Sequence, residues 1–89
     1  MKPIIFDEKS WKFNKTDKAL NPLVLYQIID QVKRTFGCYG YIYLNEIYKR
    51  FAIEWNPDDE NICYKSANGP IEISYSLIGS DTYEIHITQ

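Results

Sequence analysis

The sequence predicts a two-layer α+β domain, in which one long and one short helix precede a three-stranded antiparallel β-meander. Apolar residues recur three and four apart over 22–36, which predicts an amphipathic helix. Apolar and polar residues alternate over 71–77 and again over 83–88, which predicts strands with one buried face. A chain of 89 residues with 45% hydrophobic and 25% charged residues has the composition of one folded domain, covering 1–89.

Residues 1–20 are predicted to form an N-terminal arm, with a short strand at 2–6 where Ile4, Ile5 and Phe6 favour extended backbone. The rest of the arm is polar and rich in lysine. Trp11 and Phe13 are its two further aromatics, and we expect them to pin an irregular arm to the core. The alternative is that they form an exposed aromatic pair that anchors a partner, because Trp is enriched at binding hot spots.

The helical part is predicted over 21–52. Asn21 can cap the first helix and Pro22 fits its first position, where the missing N–H costs no hydrogen bond. Gly37 is expected to end the helix. Its apolar stripe consists of Leu25, Ile28, Ile29, Val32 and Phe36.

Residues 40–51 begin with alternating aromatic and branched residues and then change to helical spacing. This pattern predicts a short extended segment that runs directly into a second helix. Asn45 is the expected cap between them, and this helix should end near Ala52, because Asn56-Pro57 follows.

The meander is predicted over 61–88. Its first strand, 62–66, meets Asn68-Gly69, a dipeptide typical of a hairpin turn to the strand at 71–77. Gly79-Ser80-Asp81 predicts the turn to the last strand, 83–88. The apolar stripe of the long helix is expected to cover the sheet.

Charge and cysteine content exclude several classes. The net charge of −2, with both signs mixed along the chain, disfavours nucleic-acid binding. No secretory signal or membrane-spanning stretch is present in the sequence, so we expect a cytoplasmic protein. Cys38 and Cys63 are expected to be free, mostly buried thiols rather than a disulfide. With His86 as the one histidine, we expect no metal site and no cofactor.

The sequence offers little catalytic chemistry. His86 belongs to the polar face of its strand, beside Glu84 and Thr88, and no nucleophile is indicated near it. Glu46 and Glu54 lie near the second helix but do not by themselves indicate a catalytic carboxylate pair. No phosphate-binding loop or nucleophile elbow is found. We therefore expect a protein that is not an enzyme.

Tyrosine is the unusual component, with eight in 89 residues. Tyr combines a large contact area with a hydroxyl at low entropic cost, which favours interfaces. Half-buried packing is the alternative, and a base-stacking platform would need a basic groove. The candidate partner-binding residues are Tyr39, Tyr41, Tyr43, Tyr48, Trp11 and Trp55. Of these, Tyr43 and Tyr48 are the ones most expected to pack in the core.

The run Gly40-Tyr41-Ile42-Tyr43-Leu44-Asn45-Glu46-Ile47-Tyr48, after an amphipathic helix and before a Trp, resembles a group of small bacteriophage-encoded proteins. These share a glycine, an aromatic/aliphatic pair, Leu-Asn-Glu, a branched residue and Tyr. The resemblance covers roughly 21–77, and its specific part is Leu44 to Tyr48. The chain departs from the group where Glu54 precedes Trp55 in place of a glycine, and where 71–77 replaces an acidic-aliphatic strand.

The resemblance implies a phage or mobile-element protein that binds one protein without catalysis. Our leading hypothesis is that it inhibits a factor of the host cell, such as a defence component. The alternative is a virion or assembly accessory protein that self-associates through a free sheet edge, which we place at the C-terminal strand ending at Gln89.

Overall fold

The computed structural model of the protein describes residues 3–54 and 57–89, so the predictions made for Lys2, Trp55 and Asn56 lie outside the described residues. The fold is α+β, as predicted. Its strands are β1 (Ile4–Phe6), β2 (Tyr41–Tyr43), β3 (Cys63–Lys65), β4 (Glu72–Leu77) and β5 (Tyr83–Thr88). Its α-helices are α1 (Asn21–Tyr39) and α2 (Leu44–Arg50), and short 3-10 turns cover Lys18–Leu20, Pro57–Asp59 and Ser66–Asn68.

The strands form two antiparallel sheets, and the predicted three-stranded meander is wrong in its first strand. β3 pairs with β2, with Ile42 opposite Tyr64, rather than with β4. The larger sheet has the order β1-β5-β4, so the arm supplies its third strand. Residues Ser66–Asn68 form a 3-10 turn in place of the two-residue hairpin, and the chain then leaves β3 for the other sheet. The predicted β4–β5 hairpin is confirmed.

The order of the strands also corrects the expected free edge. β5, the C-terminal strand, lies in the centre of its sheet and pairs with β1 on one side and β4 on the other. β5 therefore has no free edge for pairing with another chain. The edges of the larger sheet are β1 and β4.

Helix α1 is longer than predicted and is capped differently. Pro22 does lie at its start, but the cap position is Leu20, and Asn21 is a fully buried residue of the helix itself. The side chain of Asn21 instead accepts a 2.7 Å hydrogen bond from the Asn14 N–H and donates one of 3.1 Å to the Asn14 carbonyl. The helix runs through Gly37 and ends at Gly40, whose φ of 75° is left-handed.

The apolar stripe of α1 supplies Leu25, Ile28, Val32 and Phe36 to the core, and β1, β4 and β5 supply Ile4, Phe6, Ile73, Tyr83 and Ile85. The two aromatics of the arm behave differently. Phe13 is buried against Phe6, with ring centroids 5.6 Å apart, whereas Trp11 is mostly exposed. The arm is therefore pinned by one aromatic, with Ser10 Oγ donating a 2.7 Å hydrogen bond to the Phe51 carbonyl.

The change from extended to helical backbone is confirmed, but the expected cap is not. Tyr43 occupies the cap position of α2 without a side-chain hydrogen bond, and Oδ1 of Asn45 is buried with no hydrogen-bond partner in the described part of the chain. The helix ends at Arg50, close to the predicted Ala52, which adopts a positive φ of 54°.

Both cysteines are free thiols, as predicted, but Cys38 is exposed and Cys63 is only half-buried. No helix within the described residues is long and apolar enough to cross a membrane.

Candidate functional site

The C-terminal end of α1, strand β2 and helix α2 enclose a surface groove of about 810 Å³, which we call the tyrosine groove. Gly40 lets α1 and β2 meet at this angle, because its left-handed backbone turns the chain from α1 into β2. The residues that line it are Thr35, Tyr39, Tyr41, Ile42, Tyr43, Asn45, Glu46, Lys49, Arg50, Ile53, Glu54 and Glu60.

Three of the candidate contact residues meet in this groove. Tyr39, the last residue of α1, is 70% exposed, and Tyr41 and Tyr43 of β2 are each 48% exposed. Side chains alternate along a strand, so Ile42 between them enters the core while both tyrosines face outward. The rings of Tyr41 and Tyr43 lie edge to face with centroids 6.0 Å apart. The expectation that Tyr43 packs in the core is therefore wrong.

Of the other three candidates, Tyr48 and Trp11 lie outside the groove. Tyr48 is buried on the core side of α2, as expected, and leaves little surface for a partner. Trp11 is exposed but does not line the groove. Trp55 falls outside the described residues.

Helix α2 places charges of both signs along the groove. Glu46 and Arg50 are four residues apart and form an ion pair of 3.4 Å, and Nη2 of Arg50 also lies 3.4 Å from Thr35 Oγ1. Lys49, Glu54 and Glu60 line the same space. Glu46 and Glu54 were considered from the sequence, whereas Lys49 and Arg50 were not predicted as site residues. Their signal was the spacing of three and four from Glu46, which puts all three on one helical face.

Below the groove, Tyr48 Oη donates a 2.9 Å hydrogen bond to Oδ2 of the buried Asp59. Burial of the phenol, and then this bond to the carboxylate, raise the pKa of Tyr48 to about 12. Burial and the nearby charge of Asp59 also raise the pKa of Tyr64. A phenol with so high a pKa stays protonated at neutral pH, so Tyr48 acts as a hydrogen-bond donor that positions α2 and not as a base.

A second polar cluster lies on the outer face of the larger sheet. His86 Nε2 is 2.9 Å from Ser76 Oγ and 3.5 Å from Glu84 Oε1, beside a depression of about 300 Å³ next to β1. The three residue types are those of a Ser-His-acid triad, in which the acid binds one ring nitrogen and the serine the other. Here both partners lie at Nε2, so the acid does not orient the imidazole toward the serine. This geometry is that of a surface hydrogen-bond network.

Within the described ranges, 3–54 and 57–89, no three His, Cys, Asp or Glu side chains come together as a metal site. The chain matches no protein-family model, no curated protein and no solved structure.

Proposed function

We propose that this protein is a non-catalytic binding domain that holds a protein partner in the tyrosine groove. The observation that carries the proposal is the convergence of Tyr39, Tyr41 and Tyr43, all well exposed, from the end of a helix and one face of a strand. Exposed tyrosines contribute rigid contact area and a hydroxyl, and they are enriched at protein interfaces for that reason. Tyr48 and Tyr83, by contrast, are buried in the core.

The charges in the groove support a partner segment with a cationic side chain. Glu46 and Arg50 compensate each other, which leaves Glu54 and Glu60 against Lys49. An arginine or lysine of the partner would lie against the tyrosine faces, where cation–π attraction contributes, and within reach of the carboxylates. We expect the rate of association to fall as salt is added, because such pairs steer the encounter.

For the biological role, we propose a phage or mobile-element protein that acts in the cytoplasm of the host cell by inhibiting a host factor, such as a defence component. The support is the resemblance of Gly40 to Tyr48 to small phage-encoded proteins. In this fold the same run comprises Gly40, strand β2 and the first turns of α2, which contribute part of the groove. Tyr41, Ile42, Tyr43, Asn45 and Glu46 of this run line the groove, whereas Leu44, Ile47 and Tyr48 are buried in the core.

Affinity capture with a matched control tests the proposal. Tagged wild-type protein, the double variant Tyr39→Ala/Tyr41→Ala and the single variant Tyr26→Ala are incubated with a lysate of the proposed bacterial host. Tyr26 is the control because it is 67% exposed on α1 but does not line the groove. We expect a host protein that wild type and Tyr26→Ala retain and the double variant loses. Retention by all three proteins would contradict the proposal.

A further inference from the structure

We propose that two copies of the chain pair along strand β4 in antiparallel orientation, which joins their three-stranded sheets into one continuous six-stranded sheet. This inference concerns a surface away from the tyrosine groove and stands independently of the proposed function. β4 lies at the edge of its sheet. In the described part of the chain, the outer side of β4 has no strand paired to it.

The register of β4 with β5 identifies which backbone groups point outward. The N–H of Ile78 donates a 2.8 Å hydrogen bond to the carbonyl of Thr82, its directly opposite residue. In antiparallel pairs, hydrogen-bonded and non-hydrogen-bonded positions alternate. Ser74 and Ser76 are therefore bonded to β5, like Ile78. The N–H and C=O groups that face the open edge belong to Ile73, Tyr75 and Leu77.

The two edges of this sheet differ in how they are protected. Natural edge strands avoid pairing with other chains by being short or by carrying Pro, Lys or bulges. β1 has three residues and follows Pro3 directly. β4 has six, Glu-Ile-Ser-Tyr-Ser-Leu, with neither Pro nor Lys among them and an uninterrupted register to β5. Only the β4 edge is thus built in a way that permits pairing.

The apolar face of β4 is also incompletely covered in one copy. Tyr75 and Leu77 lie on the same face as the buried Ile73, yet Leu77 is 56% exposed, and Ile78 beside it is exposed as well. An ion pair of 2.7 Å between Lys18 and Asp81 joins the β4–β5 turn to the 3-10 turn Lys18–Leu20, which ends at the exposed Leu20. A strand paired to the β4 edge would cover Tyr75 and Leu77.

The sequence of β4 is complementary to a second copy of itself. A two-fold axis at Tyr75 places Tyr75 opposite its copy and Ile73 opposite Leu77, which keeps the apolar faces of both sheets on one side. In this register all three outward-facing residues of each strand form ladder hydrogen bonds. Glu72 is the only charged residue of β4, and it does not face its own copy, so no like charges are opposed.

Sedimentation velocity over a series of protein concentrations tests the dimer. We expect wild type to change from monomer to dimer as its concentration rises, and Leu77→Lys to remain a monomer, because an inward-pointing lysine blocks an edge. Leu23→Lys is the control, since Leu23 is 55% exposed on α1 and the substitution adds the same charge. It should dimerise like wild type. A wild-type protein that stays monomeric throughout, or equal loss of the dimer in both variants, would overturn the proposal.

Amide hydrogen exchange of the wild-type protein tests the register without a variant. Amides of Ile73, Tyr75 and Leu77 should become protected as the concentration rises, whereas those of Ser74 and Ser76 should be protected at every concentration. A dimer that forms without this alternation along β4 would overturn the edge pairing. That result would place the contact on another surface.

Discussion

Tyr48 Oη donates a 2.9 Å hydrogen bond to Asp59 Oδ2, and this buried pair fastens helix α2 to the 3-10 turn at Pro57–Asp59. The opposite side of α2 carries Glu46 and Arg50 into the tyrosine groove. The pair therefore anchors the buried side of the helix that lines the groove. Within the described residues, no other hydrogen bond between two buried side chains joins α2 to this turn.

Replacing Tyr48 by Phe should lower the free energy of unfolding by about 1–3 kcal/mol, because the buried Asp59 carboxylate loses its donor while the ring still fills its space. Urea denaturation measures the change. Tyr26→Phe removes an exposed hydroxyl and should be neutral within about 0.5 kcal/mol. Equal stability of Tyr48→Phe and wild type would show that the hydrogen bond contributes nothing.

The same phenol makes stability depend on alkaline pH. The pKa of Tyr48 is about 12 in the folded protein and about 10 in an unfolded chain, so between these values the folded state binds more protons. The stability supplied by Tyr48 is therefore complete below pH 10 and is lost as the pH rises toward 12. Comparing wild type with Tyr48→Phe across this range isolates the effect, since Tyr64 titrates in both. We expect their difference in unfolding free energy to shrink, and a constant difference would contradict the shift.

Two glycines near the end of α1 should respond to alanine in opposite directions. Gly40 has a φ of 75°, and an added Cβ would lie 3.2 Å from Ser66 Oγ, so Gly40→Ala should destabilise by about 1–2 kcal/mol. Gly37 lies inside the helix, and a Cβ added there would have no atom of the described residues within 4 Å, so Gly37→Ala should stabilise by about 0.5–1 kcal/mol. Thermal unfolding of both variants gives the signs. If Gly37→Ala were the more harmful of the two, the helix would end there and not at Gly40.

Asn21→Ala should cost about 2–3 kcal/mol, because it breaks two hydrogen bonds to the Asn14 backbone at a fully buried site. The loss should also release the arm, which limited proteolysis between β1 and α1 would detect. Asn61→Ala serves as the control, since Asn61 is exposed. If Asn21→Ala cost as little stability as the control, the two hydrogen bonds between Asn21 and Asn14 would not be what holds the arm to the helix.

Asn45→Ala separates the two roles considered for this residue. Oδ1 of Asn45 is buried with no donor among residues 3–54 and 57–89, and Tyr43 occupies the cap position. Removing the amide should therefore leave stability unchanged or raise it by up to about 1 kcal/mol. Loss of a true helix cap would lower it by about 1 kcal/mol. Chemical denaturation distinguishes the signs.

The regular parts of the fold were predictable because their signal is local. The stripe from Leu25 to Phe36 and the alternation in β4 and β5 each repeat several times, so their faces follow from the sequence. The pairing of β2 with β3 was not predictable, because three residues carry no periodicity and the choice of partner depends on distant packing. Two glycines three residues apart, Gly37 and Gly40, both suit a helix end, and sequence alone did not separate them.

The candidate site was predictable in part. Tyr39, Tyr41 and Tyr43 were identified from the abundance of tyrosine, and the period of two in β2 already implied that Tyr41 and Tyr43 share a face. Glu60 was missed because it comes to the groove from a segment beyond α2, which only the folded chain brings near. Asp59 was missed for the same reason, because only the folded chain brings its carboxylate to Tyr48.

Site-specific photo-crosslinking tests the central claim most directly. A photoreactive phenylalanine at position 41 places the probe in the tyrosine groove, and the same residue at position 26 places it on an exposed part of α1 outside the groove. In host cells we predict one protein crosslinked from position 41 and absent from position 26, with the crosslink lost when Tyr39 is also changed to Ala. The same crosslinked proteins from both positions would contradict binding through the groove.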